Sequence, residues 1–160
     1  MTERAVRILV DADACPVKDE IYRVAGRYGL QVFVVSNGWL NVPQTPLIQR
    51  IVVEAGPDVA DDWIAEQATD RDIVVTADVP LAARCVPKGA RVIRPDGRVF
   101  DEDAIGEAKA MRDLMTSLRE TGVMTTYNAS FSKKDRSAFL SALDTQVVKL
   151  KRPAMRTVGG

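Results

Sequence analysis

The residues best suited to chemistry in this chain are aspartates, and they fall in three places. Asp11 and Asp13 sit in the run ILVDADACP, directly after a short apolar stretch. Asp61 and Asp62 form a pair in the middle of the chain, and Asp78 closes the run DIVVTAD. A single acidic residue after an apolar run reads as a turn former or helix cap. Two such ends plus an intervening pair point instead to carboxylates gathered in space. Clustered carboxylates raise one another's pKa unless a cation sits among them. An oxygen-only donor set with open positions suits Mg2+ or Mn2+, which keep bound water and hold phosphates.

Composition narrows the alternatives. The chain has 160 residues and no histidine, which excludes Ser-His-Asp and Cys-His nucleophile systems, His general bases and His-ligated zinc. Lys plus Arg and Asp plus Glu are 22 each, so no global field draws the protein onto a polyanion. Any nucleic-acid site must be a local patch. The two cysteines, Cys15 and Cys85, read as small buried side chains. No apolar run approaches the ~20 residues needed to span a bilayer, and the N-terminus lacks a signal-peptide layout. These features predict a cytoplasmic protein with no membrane partner.

The elements that must position the aspartates follow from periodicity. Short apolar runs at Val6–Val10, Leu30–Val35, Ile48–Glu54, Asp72–Thr76 and Ala90–Arg94 read as five strands. Between them lie helical patterns: one opening at Pro16 and ending at Gly29, one capped by Asp58 with Val59, Trp63, Ile64 and Ala68 on one face, and a short PLAARCV segment. Asp96-Gly97 predicts a tight hairpin turn. A long helix is expected from Asp101 to Gly122. A last one starts at an S-x-x-D cap, Ser132 and Asp135, and buries Phe139, Leu140 and Leu143. Alternating strands and helices imply right-handed crossovers and a mostly parallel sheet covered on both faces, a three-layer α/β/α sandwich. Residues 1–150 form a single domain in this reading, and 151–160 a basic flexible tail.

In such sheets, sites lie outside the carboxyl ends of the strands, where Asp11, Asp13 and Asp78 fall. Lys18, near the third position of the first helix, opposes the helix dipole, which suggests an anion nearby: Asp11, Asp13 or a substrate phosphate. Trp63 reads as a helix anchor. Trp39, in the polar loop SNGWLNVPQTP, is either a bystander or a platform on which a base stacks.

The strings LVDADACPVK, GPDVADDWIAEQA, VVTADVPLA and FSKKDRSAFLSALD together resemble the YaiI/YqxD family of bacterial proteins. That family looks like a branch of the PIN-like superfamily, whose relatives include metal-dependent nucleases. The resemblance implies a five-stranded sheet of order 3-2-1-4-5, which makes strands one and four neighbours. It places the acidic set on Asp11 with Asp13, on Asp61 and Asp62, and on Asp78, with Thr76 at the hydroxyl position. The expected function is a Mg2+- or Mn2+-dependent nuclease, preferring single-stranded RNA to DNA. Asp11, Asp13, Asp62 and Asp78 would hold metal, Asp13 or Asp61 would orient water, and Lys18 would add charge at the phosphate. Arg84, Arg91 and Arg94 would guide the strand.

Two other readings compete. ILVDADAC also resembles the opening of haloacid-dehalogenase-like phosphatases, with Asp11 as nucleophile. There, however, the acidic pair follows the second motif, whereas Asp61 and Asp62 precede Thr76. The third reading is a non-catalytic domain that binds RNA or a protein partner; the zero net charge favours it, and the full acidic set opposes it.

Overall fold

The computed structural model describes residues 6–12, 15–56, 58–102, 105–106 and 132–151. Strand β1 (Arg7–Asp11) carries Ile8, Leu9 and Val10 fully buried. Such a continuous apolar run belongs to a parallel strand covered on both faces. Around it stand β2 (Gln31–Ser36), β3 (Ile48–Val52), β4 (Asp72–Val75) and β5 (Arg91–Ile93), all parallel. A sixth strand, β6 (Val99–Phe100), returns antiparallel to β5 through the expected Asp96-Gly97 turn. The sheet order is β3-β2-β1-β4-β5-β6, so the expected order holds and the hairpin extends it by one edge strand. Gly97 is required at that turn. Its φ is +94°, and a Cβ there would lie 2.7 Å from the backbone of Ala138.

Helices α1 (Lys18–Tyr28) and α4 (Lys133–Lys151) cover one face, and α2 (Val59–Gln67) and α3 (Val79–Cys85) the other. A 3-10 turn, Val86–Lys88, follows α3. On the first face Val10, Val24, Val34 and Ile73 pack with Phe139, Leu143 and Val147 of α4. On the second, Leu9, Val35 and Val74 pack with Ile64, Leu81 and Cys85. Fully burying each such side chain contributes about 1.5–3 kcal/mol, which is what holds the two helix layers to the sheet. The α4 start is a reciprocal capping box: Asp135 N donates to Ser132 Oγ at 3.0 Å and Ser132 N to an Asp135 oxygen at 3.2 Å.

Three expectations shift. Helix α1 starts at Lys18 with Val17 as N-cap, two residues after Pro16, so Lys18 is its first residue. Asp58 takes the N-cap position of α2, but its side chain makes no cap hydrogen bond. The buried stripe of α2 is Ala60, Ile64 and Ala65, continuing to Ala68, and Val59 and Trp63 are only half-buried. The helix expected over 101–122 lies mostly outside the described residues; of the part that is described, Ile105 is buried. Of the expected tail, Lys151 ends α4 and 152–160 lie outside the described residues. Among the described residues no helix is long and apolar enough to cross a membrane.

Candidate active site

Asp11 ends β1, and β1 pairs with β4 in the register Val10↔Val75. Thr76, the next residue along β4, therefore lies beside Asp11. Its hydroxyl donates to Asp11 Oδ2 at 2.9 Å and accepts from Asp78 N at 3.0 Å. Thr76 is buried, so a single hydroxyl ties the two acidic strand ends together. Asp78 is the N-cap of α3, where a carboxylate oxygen accepts from Leu81 N at 3.3 Å.

From the covering layer, α2 delivers Asp61. Its carboxyl is hydrogen-bonded to Asp78 and close to the charges of Asp11 and Asp58. Desolvation first, then the Asp78 and Asp11 charges, push the Asp61 pKa up to about 6. The site is thus three carboxyl groups on the α2 face of the sheet's carboxyl edge, two of them sharing a hydrogen bond.

Asp62, one residue further round the helix, is directed elsewhere. Its Oδ1 accepts from Arg84 Nη1 of α3 at 2.7 Å in a half-exposed ion pair. The phase of α2 explains the split. Asp61 stands one turn before buried Ala65, and Asp62 one turn before exposed Glu66. Asp13 lies outside the described residues. Among the described residues, no group of three or more His, Cys, Asp or Glu is arranged to hold a metal ion.

Lys18 has a different setting from the one expected. Its Nζ donates to the carbonyls of Cys15 at 2.8 Å and Ala12 at 3.3 Å, clamping the turn that follows Asp11. As the first residue of α1, Lys18 can reach back over that turn. Asn37, which sequence reasoning passed over, joins two of the segments around the sheet's carboxyl edge. It follows β2, and its Nδ2 donates to Gly56 O at 2.9 Å, tying the β2 end to the loop before α2. A polar residue directly after an apolar strand was its signal.

The profile of the family described as "Uncharacterized BCR, YaiI/YqxD family" matches residues 9–149. The chain belongs to this family. A UPF0178 protein of Gluconobacter oxydans is 66% identical over 148 residues, covering 92% of this chain and 85% of its own. One from Gluconacetobacter diazotrophicus is 62% identical, covering 93% and 97%, and one from Caulobacter vibrioides is 56% identical with the same coverage. No solved structure gives a significant match.

In this member of the YaiI/YqxD family, the strings that carry the resemblance have distinct structural tasks. LVDADACPVK supplies Asp11 and its Lys18 clamp, GPDVADDWIAEQA supplies Asp61, and VVTADVPLA supplies Thr76 and Asp78. FSKKDRSAFLSALD builds the α4 cap, and its Arg136 donates to Pro16 O at 2.7 Å, bracing the acidic turn from outside. Cys15 and Cys85 are buried, and burial pushes both thiols up, Cys85 to about 11, so neither is a ready nucleophile. Arg94 lies 3.8 Å from Asp96 and, like Arg84, has an acidic neighbour, whereas Arg91 is exposed. Trp63 packs on Phe33 with ring centroids 6.2 Å apart, the anchor expected of it.

Proposed function

We propose that this chain is a metal-dependent phosphodiester hydrolase acting on nucleic acid, with single-stranded RNA preferred. The observation that supports it most is the Asp61 carboxyl, set against Asp78 and Asp11 at the carboxyl ends of neighbouring strands. Carboxyl groups held this close repel, as the raised Asp61 pKa records, and a divalent cation removes the repulsion. An all-oxygen donor set suits Mg2+ or Mn2+, and Asp11, Asp61 and Asp78 would hold it after drawing closer than they stand in the metal-free chain, where the described residues form no ready-made metal cluster. We assign this role to Asp61 rather than to Asp62, which is engaged by Arg84. Such a cation, when bound, supplies charge neutralisation at the phosphate and acidifies bound water.

The chain's own groups divide the remaining work. Thr76 fixes Asp11 by donating to its Oδ2. Leu81 N holds Asp78 in one orientation. Asp61, whose carboxyl is pushed up to about 6 in the metal-free chain, would give up its proton on taking the cation. Lys18 keeps the Ala12 and Cys15 carbonyls in place beneath the site.

The test has two arms. Calorimetric titration of the metal-free protein with Mn2+ should show binding to wild type and none to Asp11→Asn. A single-stranded RNA substrate should be cut in Mg2+ or Mn2+ and left intact in EDTA, with Asp78→Asn inactive. Equal activity in wild type and Asp78→Asn would sink the proposal. So would turnover confined to small phosphate monoesters through a covalent phosphate on Asp11.

A further inference from the structure

Trp39 is the most exposed large hydrophobic residue among those described, at 72%. It is not a loose side chain. The Arg50 guanidinium carbon lies 3.3 Å from its ring centroid, and Arg50 Nη1 donates to the neighbouring Leu40 O at 3.4 Å. The loop that carries it is anchored along its length. Ser36 Oγ donates to Gly38 O at 2.5 Å, Leu40 and Val42 pack against the α1 core, and Leu47 N donates to Thr45 Oγ1. A cation–π stack on one face, with most of the residue still in solvent, leaves the opposite face of the indole open. An aromatic ring normally buries 150–250 Å2 and gains stability from it. Here that gain is forgone and the ring is held flat against a cation instead.

We propose that Trp39 and Arg50 form a stacking ledge for one base of a single-stranded nucleic acid, with the Arg50 charge attracting the adjoining phosphate. The inference rests on the phosphodiesterase reading and names where its substrate strand is gripped. A flat π face paired with a guanidinium matches a nucleotide, which brings a π face and an anion together. It also gives a chain of zero net charge the local cationic contact that a polyanion needs. The position fits as well. Val35 stands opposite Asp11 in the β1–β2 register, and Trp39 follows four residues later. Chain reach plus one strand spacing therefore puts the two Cα atoms no more than about 20 Å apart. Arg50 is on the α1 face of β3, sharing its side with Ile48 and Val34. A strand leaving the ledge would cross the sheet's carboxyl edge to reach Asp61 and Asp78.

The experiment uses the full chain carrying Asp78→Asn, so that a short fluorescein-labelled oligouridylate stays intact. Trp63→Phe in the same chain leaves Trp39 as the only indole. The oligonucleotide should quench Trp39 fluorescence, and Trp39→Ala should weaken binding roughly 5- to 150-fold, the span for losing one stacked base. Trp39→Phe should recover most of that loss. Arg50→Ala should lower the slope of log affinity against log salt by about one. An oligonucleotide of abasic residues should bind wild type and Trp39→Ala alike. Undiminished binding by Trp39→Ala, or no binding by the parent, overturns the ledge. So does a Trp39→Ala effect on sedimentation alone, which would make the ring a contact between copies. Trp39-dependent binding by a wild-type chain that cuts nothing would retain the ledge and remove the hydrolase reading.

Discussion

The β1–β4 pair has aspartates near both of its ends, and the two ends treat them in opposite ways. At the amino end Asp72 is completely buried, yet every donor it needs is there. Arg7 donates from Nε at 2.8 Å and Nη2 at 2.7 Å, and Thr69 from its N–H at 2.8 Å and its hydroxyl at 3.0 Å. At the carboxyl end Asp61 is less buried, but its neighbours are Asp78 and Asp11, and burial and repulsion both raise its pKa. Depth of burial therefore does not mark the aspartate proposed to be functional. Compensation does: a carboxylate given a guanidinium and two hydrogen bonds is a structural part, whereas one set against other carboxyls keeps a place for a proton or a cation.

The contrast can be broken or sharpened by substitution. The largest effect on stability should come from the amino end. Arg7→Ala leaves Asp72 buried without its cation and should destabilise the fold by about 3 kcal/mol, read from urea unfolding. A loss of under about 1 kcal/mol would show that Thr69 alone compensates Asp72.

At the carboxyl end the sign should reverse. In metal-free buffer at neutral pH, Asp61→Asn should raise the melting temperature, because a neutral amide replaces a repelled charge. The effect should depend on pH. The Asp61 pKa lies near 6 in the folded chain against an ordinary 3.8, so the native state holds the extra proton between those values. Its contribution is present in full below about pH 4 and is lost as pH rises through about 6. The advantage of Asp61→Asn over wild type should therefore grow from pH 4 to pH 7. The same substitution should abolish stabilisation by Mn2+. An Asn variant that melts lower than wild type at pH 7 would make Asp61 a structural residue like Asp72.

The smallest effect is expected at Asp62. Its pair with Arg84 is half-exposed on both sides, so Asp62→Asn should change stability by no more than about 1 kcal/mol. Mn2+ binding measured by calorimetry should be unchanged. Loss of Mn2+ binding in Asp62→Asn would return the ligand role to Asp62 and erase the distinction between the paired aspartates.

Much of this molecule was legible along the chain. The apolar runs around Leu9, Val34 and Val74 specify strands buried on both faces, since no half-exposed strand could carry them. The S-x-x-D spacing at Ser132 specifies the α4 start, because both capping bonds are local. Asp11 and Asp78 were placed at strand ends for the same reason, as Asp11 directly follows its apolar run and Asp78 comes three residues after its own. What the chain alone did not decide is whatever depends on a partner distant in sequence. Which of Asp61 and Asp62 turns inward depends on how α2 is rotated when Ala60, Ile64 and Ala65 settle on the sheet. Lys18 meets backbone carbonyls because α1 starts two residues later than Pro16 suggests. The bond from Thr76 to Asp11 spans 65 residues and exists only because β4 lies beside β1 in one register. Local pattern determines what each segment becomes, but the charge a carboxylate faces is set by the segment packed against it.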